Sequence, residues 1–169
     1  KVALSGAGGQ LGRFLRPALL ERGIDLRSAG FEPLTPLRRG EELVAGDLCD
    51  PAVVDRLLAG VDVLVHLAGT SVERPLPEII ANNLVGLHAV YEGARRHKVR
   101  RIVFASSSSV YGARSEVPFR ETDPAVTPAS PYAASKLAAD RLAYAYHRTY
   151  HLPVAIIRPF NTFGPRHPY

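Results

Sequence analysis

Short, nearly continuous apolar runs alternate along this chain with longer stretches in which apolar residues recur at helical spacing. The first kind marks strands buried on both faces, and the second marks helices that bury one stripe. The runs predict strands over residues 1–5, 25–29, 43–46, 61–67, 101–106 and 154–158. The periodic stretches predict helices over 11–21, 51–58, 78–98 and 131–150. Asp50 and Pro51 suit the N-cap and first helical position of the second helix. Residues 31–42 hold two prolines and the adjacent Arg38 and Arg39, and read as a loop. The polar, proline-rich stretch 115–130 reads likewise. There are no internal repeats. Strand and helix alternate throughout, which implies an α/β fold with a parallel sheet, right-handed crossovers and helices on both faces, in three αβα layers. Ligands of such sheets sit beyond the carboxyl ends of the strands.

The first strand runs straight into Gly6-Ala7-Gly8-Gly9-Gln10-Leu11-Gly12, which opens a helix. Gly6, Gly9 and Gly12 give the spacing G-x-x-G-x-x-G. Each glycine has a physical task there: a turn through positive φ, close backbone approach to a pyrophosphate, and tight helix–strand contact. The helix start adds free N–H groups for phosphate. A glycine pattern alone is a weak signal, but this one sits at the first strand of an alternating α/β chain, the context for a Rossmann-type dinucleotide site. An NAD site of this type carries an acid at the end of the second strand to hold the ribose hydroxyls. That place falls near Gly30, with Glu32 two residues late and Asp25 too early. Arg27, Arg38 and Arg39 are candidates to meet a 2′-phosphate instead, so NAD and NADP both stay open.

Tyr132 and Lys136 are spaced i, i+4 on a predicted helix and share one face. An ammonium beside a phenol stabilises phenolate, and a tyrosine so tuned can act as general acid or base near neutral pH. Tyr-x-x-x-Lys by itself is common on amphipathic helices. The run Ser106-Ser107-Ser108-Ser109 at the end of the fifth strand gives it a companion, since a hydroxyl there can bond a substrate's reacting oxygen. Four serines alone make an ordinary turn.

Composition narrows the partners. Hydrophobic residues make up 46% and charged residues 22% of 169, enough for one domain with a real core over 1–169. No apolar run approaches the length of a membrane span, and Lys1-Val2-Ala3-Leu4 is too short for a secretory h-region, so neither membrane nor export is expected. Cys49 stands alone, which fits a reducing cytoplasm. The net charge of +5 is spread out except at Arg95-Arg96-His97-Lys98 with Arg100-Arg101. That cluster suits the negative end of a helix dipole better than nucleic acid. No zinc-ligand spacing and no aromatic RNA-binding motif occurs, and no metal is expected. Methionine is absent.

The assembled motifs resemble the extended short-chain dehydrogenase/reductase family, also called the NAD-dependent epimerase/dehydratase family. They are the glycine turn, Gly46-Asp47-Leu48, His66-Leu67-Ala68-Gly69, Asn83-Leu84-Val85-Gly86, Phe104 through Gly112, Tyr132-x-x-x-Lys136 and Arg158-Pro159-Phe160-Asn161. The resemblance implies cofactor contacts from Gly6, Gly8, Gly9, Gln10, Leu11 and Gly12. Asp47 and Leu48 would flank the adenine. Leu67, Ala68 and Gly69 would pass the pyrophosphate and ribose, and Asn83, Tyr132, Lys136 and Pro159 complete the set. It makes Ser107, Tyr132 and Lys136 the catalytic group. Ser71, Ser107, Ser108 and Asn161 would meet the substrate, a sugar or sugar nucleotide. The family is normally much longer, with a smaller C-terminal part that closes over the sugar, so little of the substrate pocket is expected here.

Subtype signals diverge. Sugar-nucleotide 4,6-dehydratases carry Asp-Glu directly after the catalytic Ser/Thr, where this chain has Ser108 and Ser109, so dehydration is not expected. Residues 106–112 and 158–165 resemble UDP-sugar 4-epimerases. Residues 69–75, with 6–13 and 92–96, resemble uronate dehydrogenases, although their Ser-Asn-His and Gly-Ser-Cys are absent. Epimerisation is the first expectation, uronate oxidation the second and 4-ketoreduction the third. A non-catalytic dinucleotide-binding regulator is disfavoured by the intact Tyr132 and Lys136. The resemblance also implies a homodimer through helices 78–98 and 131–150, which carry Ile80, Leu84, Leu87, Val90 and Tyr91 and Leu137, Leu142, Tyr144, Tyr146 and Tyr150, more apolar surface than one sheet-facing stripe requires.

Overall fold

The computed structural model describes residues 1–31, 34, 36, 38–70 and 73–164. Six parallel strands are β1 (Val2–Ser5), β2 (Leu26–Gly30), β3 (Glu41–Ala45), β4 (Val63–His66), β5 (Arg101–Ala105) and β6 (Val154–Ile157). The helices are α1 (Gln10–Glu21), α2 (Pro51–Leu58), α3 (Leu76–Ile80), α4 (Gly86–Arg96) and α5 (Pro131–Tyr150). The strand order is β3-β2-β1-β4-β5-β6, the doubly wound order in which the chain reverses direction across the sheet between β1 and β4. All six predicted strands and the four predicted helical stretches are present.

Side-chain alternation sorts the strands between two faces. Ala3, Ala29, Leu64, Ile102 and Phe104 join α2, α4 and α5 in the main core. Leu4 and Leu26 point the other way, onto Leu15, Leu19 and Leu20 of α1. Among the described residues α1 alone covers that second face. Val63, Val65, Val103 and Ala155 there are half-buried, and Ile157 is 42% exposed. The expected three layers are therefore complete on one side and cover only part of the other.

Two differences from the sequence reading have local causes. The helix expected over 78–98 begins at Leu76 and contains a π turn over Ala81–Val85. Such a wide turn is a local bulge in the α-helical ladder, and it carries Asn82 and Asn83. The third strand begins at Glu41, two residues before its apolar run, because Glu41 is buried and paired. Its carboxylate accepts from the Arg16 guanidinium (Nε, and Nη2 at 2.7 Å), from Ser28 Oγ at 2.5 Å and from the Arg38 amide at 3.2 Å. Arg16 Nη2 also donates to the Pro36 carbonyl at 2.8 Å. Burial opposes the Glu41 charge, but these donors hold its pKa below the ordinary 4.5.

That pair fastens α1 to β2, β3 and the loop between the two strands, so removing one partner strands a buried charge. Such a loss typically costs about 3–5 kcal/mol. Arg16→Met should lower stability in urea unfolding followed by circular dichroism by roughly that amount, and Arg16→Met/Glu41→Leu should recover most of the loss. Because the folded pKa of Glu41 lies below its unfolded value, its contribution is present above about pH 4.5 and disappears as pH falls through the lower folded value.

Candidate active site

The glycine turn is shaped by lack of room. Gly6 sits at φ +70°, and a Cβ on it would lie 2.7 Å from the Ala68 amide nitrogen. A Cβ on Gly12 would lie 2.3 Å from the Gly6 carbonyl oxygen. Both are far inside van der Waals contact, so the turn folds against β4 and α1 only when these positions are bare. Gly9 caps α1 without a side-chain acceptor, and no acid stands in the first turn. The opening N–H groups of α1 are therefore left to a ligand.

A cavity of about 760 Å³ lies over the carboxyl ends of β1, β2 and β4 and the turn after β3. That is within the usual range for ligand sites. Gly6, Gly8, Gly9, Asp47, Leu48, Leu67, Ala68 and Gly69, the residues to which the resemblance assigns cofactor contacts, line it. Of the remaining expected cofactor residues, Gln10 and Leu11 are exposed at the start of α1, and Gly12 is buried beneath the turn. The bare turn, the uncapped helix start and the cavity fit the phosphates and adenosine of a dinucleotide. Asn83 is not among the residues lining the cavity, and its side chain acts as a brace. Its Oδ1 accepts from the Thr70 amide at 2.7 Å, and its Nδ2 donates to the Thr70 carbonyl at 3.2 Å and Ser135 Oγ at 2.9 Å. It ties the loop after β4 to α5.

At the end of β5 the serine run is ordered by its own hydroxyls. Ser107 caps a 3-10 turn over Ser108–Tyr111. Its Oγ accepts from the Ser109 amide at 3.2 Å and from Ser109 Oγ at 2.8 Å. The amide of Ser108 donates to the Pro159 carbonyl at 3.0 Å, which pins the loop after β6 beside the turn. The buried Ser106 Oγ has no partner among the described residues.

Helix α5 packs against that turn. Ser130 caps it by accepting from the Ala133 amide at 3.1 Å, and Pro131 opens it. Tyr132, half-buried, and Lys136, 6% exposed, lie one turn apart on one face. Lys136 Nζ donates to the Ala105 carbonyl at 3.1 Å and sits 5.4 Å above the Phe104 ring. Burial pulls its pKa down to about 8, against the pull of the Asp140 charge. The structure thus brings Lys136 to the end of β5, two residues before Ser107.

Sequence reasoning missed several supporting residues. His66 is buried, bonded to Ser5 Oγ through Nδ1 at 2.7 Å and stacked on Phe104. Burial, with the Lys136 charge, lowers its pKa to about 3, so the ring is neutral. Asp140, one further turn along from Lys136, is 3% exposed and accepts from Arg158 Nε at 2.9 Å. Arg158 also donates to Tyr111 Oη at 2.9 Å. The i, i+4 spacing of Lys136 and Asp140 was the available signal.

Asn161 is exposed, while Ser71 and Glu32 lie outside the described residues. Arg27 does not reach the cavity, because its guanidinium is held by Glu42 and by the carbonyls of Arg56, Leu57 and Ala59. Among the described residues no cluster of three or more His, Cys, Asp or Glu side chains could hold a metal, and no helix is long and apolar enough to cross a membrane.

A profile of the NAD dependent epimerase/dehydratase family matches residues 2–169. Uronate dehydrogenase of Pseudomonas syringae pv. tomato is 37% identical over 167 residues, covering 96% of this chain and 60% of that protein. dTDP-glucose 4,6-dehydratase of Streptomyces niveus is 40% identical over 137 residues, covering 79% of this chain and 40% of that protein. The fold superposes with a TM-score of 0.84 on a variant of uronate dehydrogenase from Agrobacterium tumefaciens complexed with NAD, 38% identical over 90% of this chain and 58% of that one. The chain thus spans little more than half the length of the uronate dehydrogenases it matches. Its profile match, its strand order and the bare turn over the cavity agree, and the chain belongs to the NAD dependent epimerase/dehydratase family.

Proposed function

We propose that this protein oxidises a sugar acid at a hydroxyl-bearing carbon with a nicotinamide dinucleotide, as a uronate dehydrogenase does. The observation that carries the chemistry is the buried Lys136 ammonium at the end of β5, on the same face of α5 as Tyr132 and two residues from the Ser107 turn. The bound dinucleotide supplies the hydride acceptor. Ser107 Oγ orients the substrate oxygen. Tyr132 Oη takes the proton from the substrate hydroxyl. Lys136 favours the tyrosinate by its charge and holds the ribose beside it. The sequence reading puts 4-epimerisation first. Similarity to a uronate dehydrogenase over 96% of the chain reverses that order. Ser108 and Ser109, in place of an acidic pair, weigh against the dehydratase reading. The resemblance of residues 106–112 and 158–165 to UDP-sugar 4-epimerases keeps epimerisation as the second reading.

The same reading places the enzyme in the cytoplasm, where Cys49 stays a thiol. It also makes the enzyme a dimer through α4 and α5. Leu87, Val90, Tyr91 and Tyr146, counted toward the partner surface on sequence grounds, are buried within this chain. Ile80, Val85, Tyr144 and Tyr150 remain exposed to meet a second copy.

Galacturonate or glucuronate with NAD or NADP should give net reduced cofactor, read at 340 nm, with none from UDP-galactose. An epimerase would interconvert UDP-galactose and UDP-glucose and release none. Tyr132→Phe should lower kcat by about 10²–10⁴-fold, the usual worth of a general acid or base. Undiminished turnover in that variant would defeat the mechanism.

Lys136 carries a stability cost that function explains. Its folded pKa is lowered, so the penalty is complete below about pH 8 and fades as pH rises from there to about 10.5. Lys136→Met should melt higher than wild type at pH 7, by up to roughly 3 kcal/mol for a shift of this size. The gap should close toward pH 10.5 while the variant turns over little or no substrate. Light scattering at micromolar concentration should give a dimer mass for the whole protein, and Tyr144→Glu should shift it toward monomer.

A further inference from the structure

The chemistry assigned to Ser107, Tyr132 and Lys136 leaves a buried charged group on the same helix without a task. Asp140 is 3% exposed and stands i, i+4 from Lys136 on α5, so the two share a face. Its Oδ2 accepts from Arg158 Nε at 2.9 Å, while its buried Oδ1 has no hydrogen-bond partner among the described residues. A carboxylate oxygen taken out of water without a donor is costly unless a nearby cation offsets the loss. Two cations flank this one. Arg158 lies on its Oδ2 and is itself held by Tyr111, whose Oη accepts at 2.9 Å and whose ring lies 5.1 Å below the guanidinium. Lys136 lies one turn back. Its Nζ donates to the Ala105 carbonyl, and a Cβ on Gly69 would lie 3.5 Å from it, which puts the ammonium against the cavity wall.

The other titratable groups around this pair carry no charge to compete. His66, from β4, is neutral. Burial pushes the Tyr91 phenol, from α4, far up, so it stays protonated. Tyr132, one turn before Lys136, is the proton-handling group itself. Burial favours the neutral form of Lys136, and the Asp140 charge opposes that. We propose that Asp140 is a positioning residue of the reaction: anchored by Arg158, its carboxylate keeps the proton on Lys136, and so keeps Lys136 able to favour the Tyr132 phenolate at neutral pH. The inference rests on the Tyr132–Lys136 reading of the site.

Isotope-labelled lysine, followed by NMR at Cε in the whole protein, reports the proton on Nζ without substrate or turnover. The Lys136 signal is the one lost in Lys136→Met. Its midpoint should lie at about 8 in the wild type. In Asp140→Asn it should lie about one pH unit lower, the usual size for loss of a nearby opposite charge. That variant leaves Arg158 without its counterion, so Asp140→Asn/Arg158→Gln, which strands no charge, serves as the second variant. It should lower the midpoint too, because Asp140 is the charge that acts on Lys136. With a uronate as substrate, the alkaline limb of kcat/KM should move down with the midpoint. A pair that only braces the fold would lower activity at every pH and leave the limb in place. An unmoved Lys136 midpoint in either folded variant overturns the inference. A lowered midpoint in a protein that turns over no uronate supports the inference and overturns the substrate reading instead.

Discussion

The backbone of Gly6 lies so close to that of Ala68 that no side chain fits between them. The rest of the site depends on that approach. It lets β1 turn sharply into α1, leaves the first N–H groups of α1 open above the sheet, and places the loop after β4 as the opposite wall of the cavity. Gly12 extends the same constraint one turn into the helix, where its missing Cβ lets α1 rest on the Gly6 carbonyl. A parallel sheet of order β3-β2-β1-β4-β5-β6 then aims every strand's carboxyl end toward one rim. The cavity, the Ser107 turn and the Lys136 ammonium all sit on that rim.

Polar side chains buried behind the rim hold it in shape. Asn83 joins Thr70 to Ser135, and so fixes the loop after β4 against the helix that carries Tyr132 and Lys136. Asp140 joins the same helix to Arg158 and, through it, to Tyr111. A buried amide or ion pair of this kind adds little net stability over an apolar packing, but it fixes geometry because each donor has one acceptor to find. Lys136 carries the cost of that arrangement. An ammonium held in a nearly dry place beside a neutral His66 destabilises the fold at neutral pH, and groups perturbed in this way cluster at functional sites.

The sequence was legible where one element's signal was local. Apolar runs mark the strands because a parallel sheet is largely buried, and β2, with Arg27 and Ser28 inside it, gives the weaker signal. Pro51 and Pro131, each behind a capping side chain, set the starts of α2 and α5 to the residue. The start of β3 was not legible, because Glu41 reads as a loop residue until Arg16 from α1 is seen against it. The π turn was not legible either, since its asparagines find their partners in Thr70 and Ser135, far along the chain. Gly6, Gly8 and Gly9 of the glycine turn, the Asp47-Leu48 pair and residues 67–69, far apart in sequence, line one cavity. The internal partners of Asn83 and Arg27 were not legible, because Thr70, Ser135 and Glu42 stand on other elements. Which guanidinium groups are neutralised was not legible, because that depends on contacts between separate elements, as between Arg16 and Glu41 or Arg27 and Glu42.

The claim that a side-chain-free turn creates the dinucleotide site is tested most directly by adding a single methyl to it. Gly6→Ala and wild type should be titrated with the preferred dinucleotide by calorimetry, with far-ultraviolet circular dichroism as the control for folding. The account predicts a helical and stranded spectrum unchanged from wild type, with affinity reduced by about a hundredfold or more, about 2.8 kcal/mol. A folded Gly6→Ala protein that binds the dinucleotide as tightly as wild type would contradict it.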